Sequence, residues 1–193
     1  MSVAPILLGS LIKLYDDAID MKLSTNPTLL HTLSSLIVLF ITWIAMNDFY
    51  LSFACFILSL FESGIDTPFW KSLIAVTGVL TLLNLSVDIT VIRVLLSLLT
   101  VGGILLLASM ETRLFPEEVS AKKIGIRFLF LIAFIIGALL FDYLPLPDYS
   151  KISLYKACMI MIGYVSTSMV TMSYVSLQPS ALSIPKVLPK PLP

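Results

Sequence analysis

Three groups of carboxylates along this chain are spaced so that they could hold a divalent cation: Asp16, Asp17 and Asp20; Glu62 and Asp66; and Glu111, Glu117 and Glu118. Asp16 and Asp20 are four residues apart, so on a helix they share one face about one turn from each other. Like charges at that spacing repel unless a cation offsets them. Mg²⁺ is commonly held by one or two carboxylates together with water and substrate phosphates. Asp16, Asp20 and Glu118 are therefore candidate Mg²⁺ ligands, with Asp17, Glu111 and Glu117 as further acids of a candidate catalytic site. The bland alternative is that each group is a polar turn where a helix leaves the membrane.

Basic residues stand close enough in sequence to complete such a site. Residues 111–127, ETRLFPEEVSAKKIGIR, mix the three glutamates with Arg113, Lys122, Lys123 and Arg127. As a phosphate clamp, Lys122, Lys123 and Arg127 would meet phosphate oxygens while the acids hold the metal. The stretch also has a structural reading: Pro116 ends one helix, Glu117 and Glu118 favour the start of the next, and Glu118 and Lys122 are spaced for an i,i+4 pair. His31 follows the aspartates after a short loop and is a candidate substrate contact, or simply a polar residue at a helix start. Asn26-Pro27-Thr28 reads as the turn and cap of that helix. Asp88 and Arg93 form a separate pair in an apolar region, where charges line transport paths or snorkel to the interface as anchors. Cys55 and Cys158 each lie in an apolar run and read as small buried hydrophobes.

The elements that must position these groups follow from composition. The chain has 193 residues, 58% hydrophobic and 12% charged, where a soluble domain is roughly 45–50% apolar and about 25% charged. Lipid must cover the excess. Apolar runs cover residues 3–14, 29–46, 49–61, 69–85, 89–110, 124–141 and 152–174. Five of these approach the roughly 17–25 residues that a spanning helix needs; the first and third are short. Backbone groups must be satisfied within the bilayer, so the runs are helices. Turns are expected at Asn47-Asp48 and around Asn84, Ser86 and Asp88. The fold expected is an all-α, polytopic transmembrane bundle of six to seven short helices over residues 1–177. A proline-rich tail, residues 178–193, favours extended conformation and solvent.

Charge placement sets an orientation. The 12 basic residues divide into Lys13, Lys22, Lys71, Arg113, Lys122, Lys123, Arg127, Lys186 and Lys190 on one side and Arg93, Lys151 and Lys156 on the other. Cytoplasmic loops carry the excess of positive charge, so the first side, with the C-terminus, is expected in the cytoplasm. With 12 acids against 12 bases there is no basic field of the kind a nucleic-acid binder needs. The opening residues lack the basic flank and cleavage site of a secretory signal and read as mature protein. Short helices such as residues 49–61 suit a thin membrane or a homo-oligomer.

The segment LYDDAIDMKLSTNP, residues 14–27, resembles the first aspartate-rich motif of UbiA-type intramembrane prenyltransferases, N-D-x-x-D-x-x-x-D at a cytoplasmic helix end. In that family two acidic loops, four helices apart, bind Mg²⁺ and an isoprenoid diphosphate. The loops after the first and fifth helices here have the same separation and face the same side. The resemblance implies that Asp16, Asp17 and Asp20 are the first diphosphate-metal acids. Tyr15 stands where the family has asparagine, the second loop carries glutamates rather than a ladder of aspartates, and the chain is shorter than the nine helices typical of the family.

Together these readings imply a Mg²⁺-dependent intramembrane transferase acting on an isoprenoid or other lipid-linked diphosphate. The alternatives are a non-catalytic membrane scaffold, and a small transporter or channel using Asp88 and Arg93.

Overall fold

The computed structural model describes residues 3–20, 26–62, 68–85, 91–114 and 121–177. Their elements are seven α-helices: α1 (Ala4–Asp20), α2 (Pro27–Ala45), α3 (Phe49–Glu62), α4 (Pro68–Asn84), α5 (Val91–Leu114), α6 (Ala121–Leu140) and α7 (Asp148–Leu177), with a 3₁₀ turn, Phe141–Tyr143, before α7. No strand occurs among the described residues. Three segments are long and apolar enough to cross a membrane: Pro27–Ala45, Lys122–Leu140 and Asp148–Leu177. Phe128, Leu129, Ile136 and Leu139 of α6 are all exposed, a surface that water would not tolerate and lipid covers. The chain is an all-α bundle and an integral membrane protein.

Of the five runs long enough to span, three coincide with these segments, and the other two form α4, of 17 residues, and α5. α4 stops at Asn84, whose side-chain amide donates to the Ala45 carbonyl (3.0 Å) and to Ser52 Oγ (3.1 Å). α5 is 24 residues long, with Arg93 near its start and Glu111 and Arg113 near its end. α3, at 14 residues, is about 21 Å long at about 1.5 Å per residue. It lies inside the bundle between α4 and α5, with Tyr50, Leu51, Ser52, Ala54 and Ser59 buried.

α2 supplies the centre of the core. Ile37, Ile41, Ile44 and Ala45 form its buried stripe, meeting Leu8 of α1, Tyr50 and Leu51 of α3, and Leu73 and Leu80 of α4. Its start is fixed as expected: the Asn26 side chain accepts from the Thr28 N–H (3.0 Å), with Pro27 in the first turn. Its end is the expected turn. Asn47 has φ 63, a left-handed conformation that asparagine adopts more readily than most residues. The Asp48 side chain then accepts from the Leu51 N–H (3.1 Å) and caps α3.

Glycines set the other main contact. α1 packs closely on α7, and a Cβ added to Gly9 would overlap the Ile160 carbonyl oxygen, while one on Gly163 would overlap that of Ile6. Only glycine permits backbones this close, and small residues at a crossing are how helices pack where lipid removes the hydrophobic drive between them. Ser10 Oγ adds a bond to the Gly163 carbonyl (3.3 Å).

Candidate functional site

The aspartate-rich segment is helical through Asp20, so the residues flagged from sequence do fall on successive turns. Gly9, Lys13 and Asp17 are four apart and share the face of α1 toward α7. Below the glycine crossing, the Lys13 ammonium sits 2.7 Å from Asp16 Oδ2 and 2.7 Å from Asp17 Oδ1. Lys13 is 6% exposed and Asp17 1%, so this is an ion pair inside the protein. From α7, the Tyr164 hydroxyl donates to Asp16 Oδ2 (3.3 Å), and its ring lies 5.2 Å from the Lys13 ammonium, within cation–π range. From α6, half-buried Arg127 comes within electrostatic reach of Tyr164. Three helices thus meet at two cations, two anions and one phenol.

The predicted site residues divide accordingly. Asp16 and Asp17 come together at Lys13, and Arg127 of α6 lies within electrostatic reach of Tyr164, which donates to Asp16. Lys122 is exposed and Lys123 half-buried at the start of α6. His31 is exposed on α2, and among the described contacts nothing joins it to the cluster. Asp20 and Glu111 lie in α1 and α5, but their side chains, like the whole of Glu117 and Glu118, lie outside the described residues, as do Asp66, Asp88, the side chains of Glu62 and Arg93, and the tail 178–193.

The donor set was tested for Mg²⁺ on its geometry. Magnesium takes near-octahedral oxygen ligands at about 2.0–2.1 Å. Between Asp16 and Asp17 the position for a cation is taken by the Lys13 ammonium, which pairs with both carboxylates. Among the described residues no group of three His, Cys, Asp or Glu side chains is placed to hold a metal. Asp16 and Asp17, as arranged, do not fit the ion while Lys13 stays in place. One feature points the other way: the Lys13–Asp17 contact is close but not directed as a hydrogen bond, and both buried Asp17 oxygens lack a hydrogen bond among the described residues.

Lys13 and Tyr164 were missed as site members by sequence reasoning. Lys13 had a readable signal, since it precedes Asp16 and Asp17 by three and four residues, the spacing of helical ion pairs. Tyr164, distant in sequence, had none.

A second polar centre occupies the opposite end of the bundle, at the α2–α3 turn. Asp48 accepts from Ser153 Oγ (2.9 and 3.0 Å) and pairs with Lys156 of α7 (2.9 Å). Lys156 also donates to the Ile44 carbonyl (3.3 Å). With the Leu51 N–H, the Asp48 carboxylate has a full set of partners, the condition for a buried charge to be tolerated. Nearby, Ser97 of α5 donates to the Tyr50 carbonyl (3.2 Å), and the Tyr50 and Thr100 hydroxyls are 2.6 Å apart. This centre binds helices to one another.

The chain matches no protein-family model, no curated protein and no solved structure.

Proposed function

We propose that this chain is a non-catalytic integral membrane scaffold, in which the aspartates of α1 hold helices together rather than a metal. The observation that carries this reading is the Lys13 ammonium, buried 2.7 Å from both Asp16 and Asp17. A resident side-chain cation needs no ion from solution, and its charge is balanced where it stands. The cluster ties α1 to α7 and draws in α6, a role that the Asp48 centre repeats at the other end. In this reading the bundle presents a fixed framework in the membrane, with its C-terminal side in the cytoplasm, the side that carries most of the basic residues.

The experiment is thermal unfolding of the detergent-purified protein with and without Mg²⁺ and a long-chain isoprenoid diphosphate, since a ligand of the native state raises its apparent stability. The scaffold reading expects no Mg²⁺-dependent shift. A shift that disappears in Asp16→Asn/Asp20→Asn overturns it.

That outcome would promote a second reading, the Mg²⁺-dependent transferase acting on an isoprenoid or lipid-linked diphosphate. What favours it is Arg127, from the region of the second loop, within electrostatic reach of the Tyr164 that donates to Asp16, in keeping with the two-loop layout of the UbiA-type enzymes. There Lys122, Lys123 and Arg127 would bind diphosphate oxygens, with His31 at the edge of the site. Asp16, Asp20 and Glu118 would hold Mg²⁺, which supplies charge stabilisation for the leaving diphosphate. Lys13 would first have to release Asp16.

A further inference from the structure

α1 and α7 run in the same direction: Ala4 and Pro5 share a groove with Tyr155 and Lys156, Gly9 meets Ile160, and Asp16 meets Tyr164. Each helix carries its contact stripe onward at a spacing of four residues, which keeps successive members on one face. On α1 the stripe of Gly9 and Lys13 continues to Asp17, and on α7 the stripe of Ile160 and Tyr164 continues to Ser168. Asp17 is 1% exposed and Ser168 0%. One turn beyond the Lys13–Tyr164 contact, a carboxylate and a hydroxyl are thus buried on the two facing sides.

Neither group has a hydrogen-bond partner among the described residues. Ser168 differs in this from other buried hydroxyls of the bundle. Ser59, Thr77, Thr81 and Thr171 each donate to the carbonyl four residues before, the usual way a helix satisfies a buried serine or threonine. Ser168 does not, so its hydroxyl is left for a partner outside its own helix. Asp17 lies 2.7 Å from the Lys13 ammonium, a contact that supplies charge while both carboxylate oxygens keep their hydrogen-bonding capacity.

Chemistry selects the partner. Buried polar groups left unbonded are costly. An ionised carboxylate can only accept, whereas a hydroxyl can donate or accept, so a species joining the two must donate to Asp17 and can do either with Ser168. A second cation would stand against the Lys13 ammonium, which already balances Asp17. Space limits the species as well: at the glycines the backbones touch, and crossing helices separate only gradually on either side of that point. A small, neutral molecule that both donates and accepts meets these conditions, and buried waters bridge such groups with about two to four hydrogen bonds.

We propose that Asp17 and Ser168 hold one buried water molecule between α1 and α7. The water supplies hydrogen bonds while the countercharge stays with Lys13. This end of the α1–α7 contact is then a wet joint, where the glycine end is a dry one, and the site stands whether the Lys13 cluster is structural or catalytic.

The test is hydroxyl-radical footprinting of the full chain in lipid nanodiscs, read by mass spectrometry. Radicals formed from a bound water oxidise the side chains beside it even where bulk solvent does not reach. Met172, one turn from Ser168 and 2% exposed, is oxidised faster, relative to intrinsic reactivity, than Tyr50, which is equally buried. Ser168→Ala lowers the Met172 rate about fivefold, the occupancy lost with one hydrogen bond of ordinary net strength. Ser168→Val also fills the space and brings the rate down to that of Tyr50. Wild-type Met172 labelled no faster than Tyr50 overturns the proposal, the outcome expected if Ser168 turns to bond Asp17 directly. Labelling that survives both substitutions, in proteins whose unfolding temperature matches wild type, overturns it too, since other groups would then hold the water. If Ser168→Val fails to fold, the Ser168→Ala result decides alone.

Discussion

Replacing Lys13 with methionine removes the ammonium 2.7 Å from both Asp16 and Asp17 while keeping an unbranched side chain of similar length. Asp16 is half-exposed and can turn to water and keep its Tyr164 hydroxyl. Asp17, 1% exposed, cannot. Breaking a buried pair by removing one partner costs about 3–5 kcal/mol, because the remaining charge is stranded. Against a typical total stability of about 5–15 kcal/mol, that is a large share. Replacing both partners, Lys13→Met with Asp17→Leu, removes the stranded charge, and buried pairs exchanged for apolar residues are often neutral or better. The double variant therefore recovers most of the loss. Unfolding is followed in detergent by circular dichroism, and in parallel by a thiol-reactive dye reading the release of Cys55 and Cys158, both free and partly covered in the fold. Unfolding of Lys13→Met within about 0.5 kcal/mol of wild type, the ordinary range for a surface substitution, would refute a stranded Asp17 charge, as would a double variant no more stable than the single.

Gly9→Val, which drives a side chain into the Ile160 carbonyl, should separate α1 from α7 and abolish monodisperse protein on size exclusion; Gly125→Ala, at a position with open space around it, should elute as wild type. A cysteine introduced at Ser120 should react with an impermeant thiol reagent only from the cytoplasmic face, and labelling from outside would reverse the orientation.

Much of the architecture was legible because membrane helices obey a length rule. A mostly apolar stretch of 33 residues, 29–61, would make one helix about 50 Å long, so a turn at Asn47-Asp48 was forced, and Asn47 adopts the positive φ that such a turn uses. The extent of α1 was less legible. Its apolar run ends at Leu14, yet the helix continues six residues further, since Lys13 supplies the countercharge that lets Asp16 and Asp17 remain in the bundle. The Lys13–Asp16–Asp17 part of the candidate site could have been read from spacing; its Tyr164 part could not. The Asp48–Lys156 pair joins residues 108 apart, and neither partner differs locally from an ordinary helix-end charge.

The glycine crossing of α1 on α7 also bears on how the protein is made. Ser10 and Gly163 are 153 residues apart, and at about 5–20 residues per second the ribosome needs roughly 8–30 s after making the first to deliver the second. Throughout that interval α1 must wait beside the translocon without the helix that covers its charged face. It waits with its own counterion, because Lys13 can neutralise Asp16 or Asp17 within a single turn before Tyr164 exists. A chain halted before α7 would leave that face uncovered.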